Sequence, residues 1–409
     1  MKKLCLTAVI AVFCMIISNG LPAQIAPSQP NQVVIGLIDT IYSKILNEHR
    51  RILVNVPSSS ISQNYNKLRY PVIYLLDGDD SHFSAVVGKV QQLSSGYVCP
   101  EMIVVGIPNT DRTRDLTPTH MDSFQFLDFS INTNTSGAGE KFISFIEKEL
   151  IPYIDSLYPA SPYRMIIGHS FGGLTVMNTF IHHTNLFKAY VAIDPAMSWD
   201  NQKLLKEAKT VLATKSYLGI SLFLGIANNM KIGMDTIKVK KDATISTEHI
   251  RSLFELRNFL NINKQNKLKY TYKYYYNDNH VSIPLIAEYD ALRSIFDYYY
   301  YNIFGVDCKN IQNHFDNVSK QIGYHVKPPE RMVNTLAYLY LRSKRFDEAL
   351  YLFKLNVINY PESRNVFDSI GEFYEAKGDT VNAIDSYIKS LSIKESPYTR
   401  RKLEKLQGK

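Results

Sequence analysis

Between Gln32 and Phe304 short apolar runs alternate with longer stretches of helical periodicity, and this alternation leaves few folds open. Pro71–Leu76, Met102–Ile107, Arg164–Ile167, Tyr190–Ile193 and Leu222–Ile226 are brief and nearly continuously apolar. Strands buried on both faces of a sheet read this way. Val33–Ile41 and Arg51–Val56 alternate polar and apolar positions, which predicts an opening hairpin, and Lys267–Tyr276 predicts a late strand. Glu140–Leu157, Leu174–His183, Thr247–Leu260 and Ile286–Tyr301 predict intervening helices. The pattern predicts an α/β class, a mostly parallel sheet flanked by helices. In such sheets the chemistry lies beyond the carboxyl ends of the strands.

The chain has 409 residues, 45% of them hydrophobic and 21% charged, too apolar for a disordered chain and too long for one ordinary core. A formal charge of +8 spread over 409 residues does not by itself announce nucleic acid, whose basic binders show a local stripe. The tyrosine runs Tyr274–Tyr276 and Tyr298–Tyr301 fit a strand and a helix face, so nucleic acid is not an expected partner. Lys2 and Lys3 precede the uncharged run Leu4–Ile17, and Leu21 and Ala23 can stand at the −3 and −1 positions of a cleavage site. This is the layout of a secretory signal peptide, too short to span a bilayer, and it predicts a secreted or periplasmic protein with no membrane span after processing. A retained anchor and a lipoprotein site at Cys14 are the alternatives; Phe13 is bulky for the latter. Processing would leave Cys99 and Cys308, which either pair once or stay as two buried thiols.

Towards the end of the chain, Arg331–Ser363 aligns on Asn365–Pro397 at an offset of 34. Tyr340 falls on Tyr374, Ala349 on Ala383 and Phe353 on Tyr387, while Leu336-Ala337 falls on Ile370-Gly371. Small residues that let two helices approach, with aromatics filling the groove between them, are the pattern of a tetratricopeptide repeat. A last basic helix is expected near Thr399–Gln407. The predicted organisation is a signal at 1–23, an α/β domain at 24–305, a connector at 306–329 and a helical segment at 330–409. That segment would serve as a packing appendage, a self-association handle or a docking groove for a protein partner.

Strand Arg164–Ile167 runs into Gly168-His169-Ser170-Phe171-Gly172-Gly173 and then a helix. A G-x-S-x-G turn in this setting lifts a serine hydroxyl above the sheet edge, so Ser170 is the candidate nucleophile. Among ten histidines, His280 stands in a turn after the last strand, Asn277-Asp278-Asn279-His280, and is the candidate base; His82 is its nearest rival. The third member should be a carboxylate beyond Leu222–Ile226, but that strand ends Ala227-Asn228-Asn229. Asp235 is the nearest acid downstream and is the predicted third member. Asp242, Glu248 and Asp194 are alternatives, as are a Ser–His dyad and an asparagine in the acid's place.

The backbone N–H groups of Phe171 and, beside Gly78, of Asp79 are the expected oxyanion donors. Arg112, Arg114 and Trp199 fall on the same rim and are candidate substrate contacts, although a salt-bridged loop and a loop anchor explain them equally. No dinucleotide, phosphate-loop or metal-binding spacing occurs, so no metal or cofactor is expected.

Tyr74-Leu75-Leu76-Asp77-Gly78, Arg112-Thr113-Arg114-Asp115-Leu116-Thr117-Pro118, the Gly168–Gly173 turn, Asp194-Pro195-Ala196-Met197-Ser198-Trp199-Asp200 and Asp278-Asn279-His280-Val281-Ser282-Ile283-Pro284 occur in this order. Together they resemble the esterase family of α/β-hydrolases that includes enterochelin esterases, S-formylglutathione hydrolases and feruloyl esterases. The resemblance implies an α/β-hydrolase fold over roughly Gln32–Phe304, a small-molecule ester substrate, Ser170 as nucleophile and His280 as base. It departs at Ala227-Asn228-Asn229, where relatives tend to carry a glycine followed by an acid. The expected function is a secreted serine esterase. Its rivals are an acyltransferase of the same fold and an inert scaffold acting through the helical segment.

Overall fold

The computed structural model describes residues 33–61, 68–127, 129–263, 266–302 and 308–408; the expected signal segment lies outside them. The chain divides into Met1–Ile35 and Gly36–Lys409, and the fold belongs to the second unit. Strands β1 (Leu37–Ser43) and β2 (Glu48–Asn55) form the antiparallel opening hairpin. β3 (Tyr70–Leu76), α1 (Asp80–Ser95), β4 (Ile103–Ile107) and the short α2 (Arg112–Leu116) follow. A separate two-stranded hairpin, β5 (Phe124–Phe126) and β6 (Phe129–Ile131), precedes α3 (Gly139–Phe145), which runs through a π turn into α4 (Ile151–Leu157). Then come β7 (Ala160–His169), α5 (Phe171–His182), β8 (Ala189–Ile193), α6 (Trp199–Thr214), β9 (Ser221–Ala227), α7 (Ile245–Ile262), β10 (Lys269–Tyr275) and α8 (Ile283–Ile295).

Eight strands form one sheet in the order β1-β2-β4-β3-β7-β8-β9-β10, parallel from β4 to β10. From β3 the chain first moves outward to β4, then returns to the other side of β3 with β7 and continues to β10. The order therefore reverses between β3 and β7, and in such sheets the site lies beyond the carboxyl ends at that point. Asp77-Gly78 and Ser170 stand there. β3, β4 and β8 are buried at every position, as central strands covered on both faces must be.

One face of the sheet packs on α3 to α7, with Phe142, Phe145, Leu174, Phe180, Leu205 and Leu253 in that core. The other face packs on α1 and α8 through Phe83, Val87, Ala287 and Leu292. The same core continues without a break into α9 (Ile311–Ile322) and the helices that follow, through Phe296, Tyr299, Phe315, Met332 and Leu336. The helical segment thus shares the core of the α/β part, because each helix pair has an apolar face that only a neighbour can bury.

That segment consists of α10 (Glu330–Arg342), α11 (Phe346–Asn359), α12 (Arg364–Ala376), α13 (Thr380–Ile393) and α14 (Pro397–Gln407). α12 and α13 each begin and end 34 residues after α10 and α11. Gly371 is small because the Tyr387 ring lies against it: a Cβ there would come within 2.5 Å of the ring. Asp368 and Glu372 of α12 receive Lys402 of the basic α14, which closes the end of the array. Cys99 and Cys308 are both buried and form no disulfide with each other.

Candidate active site

The turn after β7 concentrates its strain on one residue. Ser170 has φ 58 and ψ −115, a conformation that side chains other than glycine avoid. Its N–H donates to Ile193 O over 3.0 Å, and its C=O accepts from Leu174 N and Ala196 N, so the elbow is fastened to both α5 and the end of β8. Gly168 contributes close approach: a Cβ at 168 would collide with the Gly172 backbone of α5. The tight turn leaves the first N–H groups of α5 without intrahelical acceptors beside the Ser170 hydroxyl. Phe171 N–H is thus available to an anionic oxygen formed there.

His280 comes from the loop between β10 and α8. Its Nε2 lies 3.0 Å from Ser170 Oγ, and its Nδ1 lies 2.6 Å from Asp194 Oδ2. Asp194, the first residue after β8, takes φ 43 and turns its carboxylate beneath the end of β9. There Oδ1 accepts from Ala227 N over 2.8 Å, and Oδ2 accepts from Asn229 Nδ2 over 2.7 Å. Asn229 Oδ1 also accepts from His280 N over 2.7 Å. The predicted acid Asp235 is corrected. It stands exposed in the loop after β9, where its carboxylate accepts from Ile237 N and Lys238 N, both at 2.8 Å. The acid that meets His280 is one strand earlier, and Asn229 stands beyond β9.

A second histidine faces Asp194. His249 of α7 is fully buried, with Nε2 3.0 Å from Asp194 Oδ2. No motif marks it in the sequence; its one signal is a helix spacing that puts it on the apolar side with Ile250 and Leu253. Phe126, from the β5–β6 hairpin, lies with its ring centroid 4.6 Å from both His249 and His280. No motif marked it.

The expected rim residues separate. Arg112 reaches the elbow: its Nε and Nη2 grip Asp77 at 2.7 and 2.9 Å, and its guanidinium lies over the Phe171 ring. Arg114 turns the other way, into Glu48 at 2.7 Å and the buried Asp115 at 2.7 Å. It belongs to an ion cluster with Arg50 that anchors the loop, which corrects its reading as a substrate contact. Trp199 is also corrected: it is 1% exposed, packed on Phe124 and Phe171, and its Nε1 donates to Thr119. The Asp79 N–H points to Asp77 O over 2.9 Å and its carboxylate caps α1 at His82 N, so Asp79 is not free to donate to an oxyanion. His82, the rival base, bonds Asp77 O and the buried Glu288, which also takes Lys89 Nζ at 2.5 Å. It ties α1 to α8 and does not reach Ser170.

Burial alone would raise the Asp194 carboxyl, but His249 and His280 facing it hold it well below the usual carboxylate range. His169, whose ring centroid is 4.4 Å from that of His280, is pushed down to about 4 by burial and by its neighbour's charge. Asp194, His249 and His280 also form the one group of at least three potential metal ligands among the described residues.

A sheet reversing at β3/β7, a strained serine on the following elbow and a histidine joined to a buried aspartate define an α/β-hydrolase. The model of the family described as "Putative esterase" matches residues 43–277, more than half of the chain, and the chain belongs to that family. The ferri-bacillibactin esterase of Bacillus subtilis is 32% identical over 150 residues, covering 34% of this chain and 52% of the relative. A siderophore enterobactin esterase of Emericella nidulans is 25% identical over 154 residues, covering 34% and 51%. The chain therefore spans about half the length of the curated relatives it matches. An IroE-like serine hydrolase of Shewanella oneidensis superposes with a TM-score of 0.67 at 27% identity, over 78% of this chain and 98% of the neighbour.

Proposed function

We propose that this chain is a secreted carboxylic-ester hydrolase with Ser170 as nucleophile, His280 as base and Asp194 as the acid that orients it. The observation that carries the reading is the unbroken line from Ser170 Oγ through both nitrogens of His280 to Asp194. Ser170 Oγ attacks the ester carbonyl as His280 Nε2 takes its proton, and Asp194 faces the imidazolium that forms. Phe171 N–H, at the α5 N-terminus, donates to the oxyanion. The alcohol leaves with the proton from His280, and water, activated by the same nitrogen, releases the acid and regenerates Ser170. No metal or cofactor enters these steps.

The relatives named as siderophore esterases support an iron-chelating ester as the substrate class. The lysine-flanked run Leu4–Ile17 supports export. The 34-residue offset kept at every helix end supports reading α10 to α13 as a tetratricopeptide-like array. The buried Asp194 against His280 Nδ1 supports an active hydrolase over an inert scaffold. The test is hydrolysis of p-nitrophenyl butyrate and of ferric enterobactin and ferric bacillibactin. Ser170→Ala should remove turnover of all accepted esters without loss of folding; unchanged turnover would sink the assignment.

A further inference from the structure

We infer that His249 is a positioning residue that acts through Asp194, donating from Nε2 to hold the carboxylate ionised and aimed at His280. The inference rests on the proposed roles of Ser170, His280 and Asp194. Asp194 Oδ2 is approached by three side chains from three elements: His280 Nδ1 at 2.6 Å, Asn229 Nδ2 at 2.7 Å and His249 Nε2 at 3.0 Å. Oδ1 is held by Ala227 N. An ionised carboxylate accepts only, so the nitrogen of His249 that faces it carries a proton.

The other side of the ring argues the same way. His249 Nδ1 is buried and has no hydrogen-bond partner among the described residues. A metal-ligating histidine ordinarily gives its second N–H to an acceptor, which fixes the tautomer and raises the basicity of the ligating nitrogen. Here such a proton would have nowhere to go. The ring therefore keeps its proton on Nε2 and serves as a donor to Asp194, and the three-residue cluster is a hydrogen-bond hub. Phe126, edge-on to His249 at 4.6 Å, and the perpendicular His280 ring, 5.6 Å away, fix its orientation.

The consequence is electrostatic. A donor on Asp194 Oδ2 withdraws negative charge from the atom that His280 Nδ1 also uses. Removing it leaves a more basic carboxylate, which holds the proton of an imidazolium more tightly. The other ionisable groups near this hub are His169, beside His280, with Asp77 and Arg112 behind it, and Tyr274 of β10 near Asp194.

The test compares His249→Phe, which keeps a ring without a donor, with His249→Gln, whose amide nitrogen reaches a similar position. Both are assayed on p-nitrophenyl butyrate, with kcat/KM referred to sites that a fluorophosphonate probe labels at Ser170, so that unfolded protein does not count. His249→Phe should lose about tenfold or more in kcat/KM at pH 7, with the acid limb of its pH profile moved to higher pH. His249→Gln should recover most of the loss and bring the limb back. Equal losses in the two variants, or an unmoved limb in His249→Phe, would overturn the inference while leaving the serine mechanism standing. Failure of the parent to label at Ser170 would overturn the reading of the site, and the inference with it.

Discussion

Asn229 donates its side-chain amide to Asp194 across the ends of two neighbouring strands, over 2.7 Å. With its carbonyl oxygen it also takes the backbone N–H of His280. One residue thus fixes Asp194 and His280 relative to each other, from the end of β9. Asp194 follows β8, one strand before β9, and Asn229 beyond β9 is its support.

Asp194→Asn should lower kcat by about 10³–10⁴-fold, because an amide cannot stabilise the imidazolium and imposes the wrong tautomer on His280. Asp235→Asn should stay within about twofold of the parent, since its carboxylate meets only its own loop. Steady-state rates on one p-nitrophenyl ester, with circular dichroism as a folding control, decide between them. A collapse in Asp235→Asn would restore the acid first expected.

Arg112 and Arg114 should fail in different ways. Arg112→Ala frees Asp77 beside the elbow and should lower kcat/KM by about tenfold, with a loss of stability below about 1 kcal/mol. Arg114→Ala strips partners from the buried Asp115 and from Glu48, and should cost about 1–3 kcal/mol of stability. Its kcat/KM per folded molecule should barely change. Urea melts and rates on the same preparations give both numbers, and matching behaviour of the two variants would contradict the geometry.

Stability should respond to acid through His169. Its folded pKa of about 4 lies below the ordinary histidine value, so the unfolded chain binds a proton there that the folded chain refuses. Stability contributed by this residue is therefore full above about pH 6.5 and falls as the pH drops towards about 4. His82 has the opposite sign. Burial disfavours its charge, yet pairing with Glu288 raises its pKa, so its contribution is full below about pH 6.5 and is lost as the pH rises through the folded value. His169→Asn should lose less stability than the parent between pH 7 and about 4.5, and His82→Gln should lose more. Denaturant midpoints at those two pH values test both, and parallel slopes in all three proteins would refute the assignment.

Truncation before α9 should not yield a well-behaved α/β domain. Cutting there uncovers Cys99, Phe296 and Tyr299, which share one core with Phe315, Met332 and Leu336. Exposed apolar surface of that kind drives association. The shortened chain should be found in inclusion bodies or as aggregates by size exclusion; a monodisperse, cooperatively melting fragment would show that the helical segment is dispensable.

The sequence by itself determined the elements whose signal is local. Runs such as Tyr190–Ile193 are apolar without a break because both faces of the sheet are covered, and that composition is visible without any partner. The Gly168–Gly173 turn is equally local, because strand, elbow and helix are consecutive. His280 was legible because it ends a loop after the last strand. The repeat at 330–393 was legible because helix packing at a fixed offset writes itself into the spacing of small and aromatic residues.

Only the tertiary structure decided which acid meets His280 and which rim residues face the elbow. Asp194 and Asp235 both follow strands. What distinguishes them is that the left-handed turn at Asp194 swings its carboxylate under β9, where Ala227, Asn229 and two histidines converge. Arg112 and Arg114 are two residues apart on one short helix, and the burial of Arg50 and Asp115 sends one outward to Glu48 while the other turns to Asp77. Such outcomes depend on contacts between strands and helices distant in the chain. Hydrogen-bond partners of a side chain are set by what folds against it, and no spacing along the chain records that.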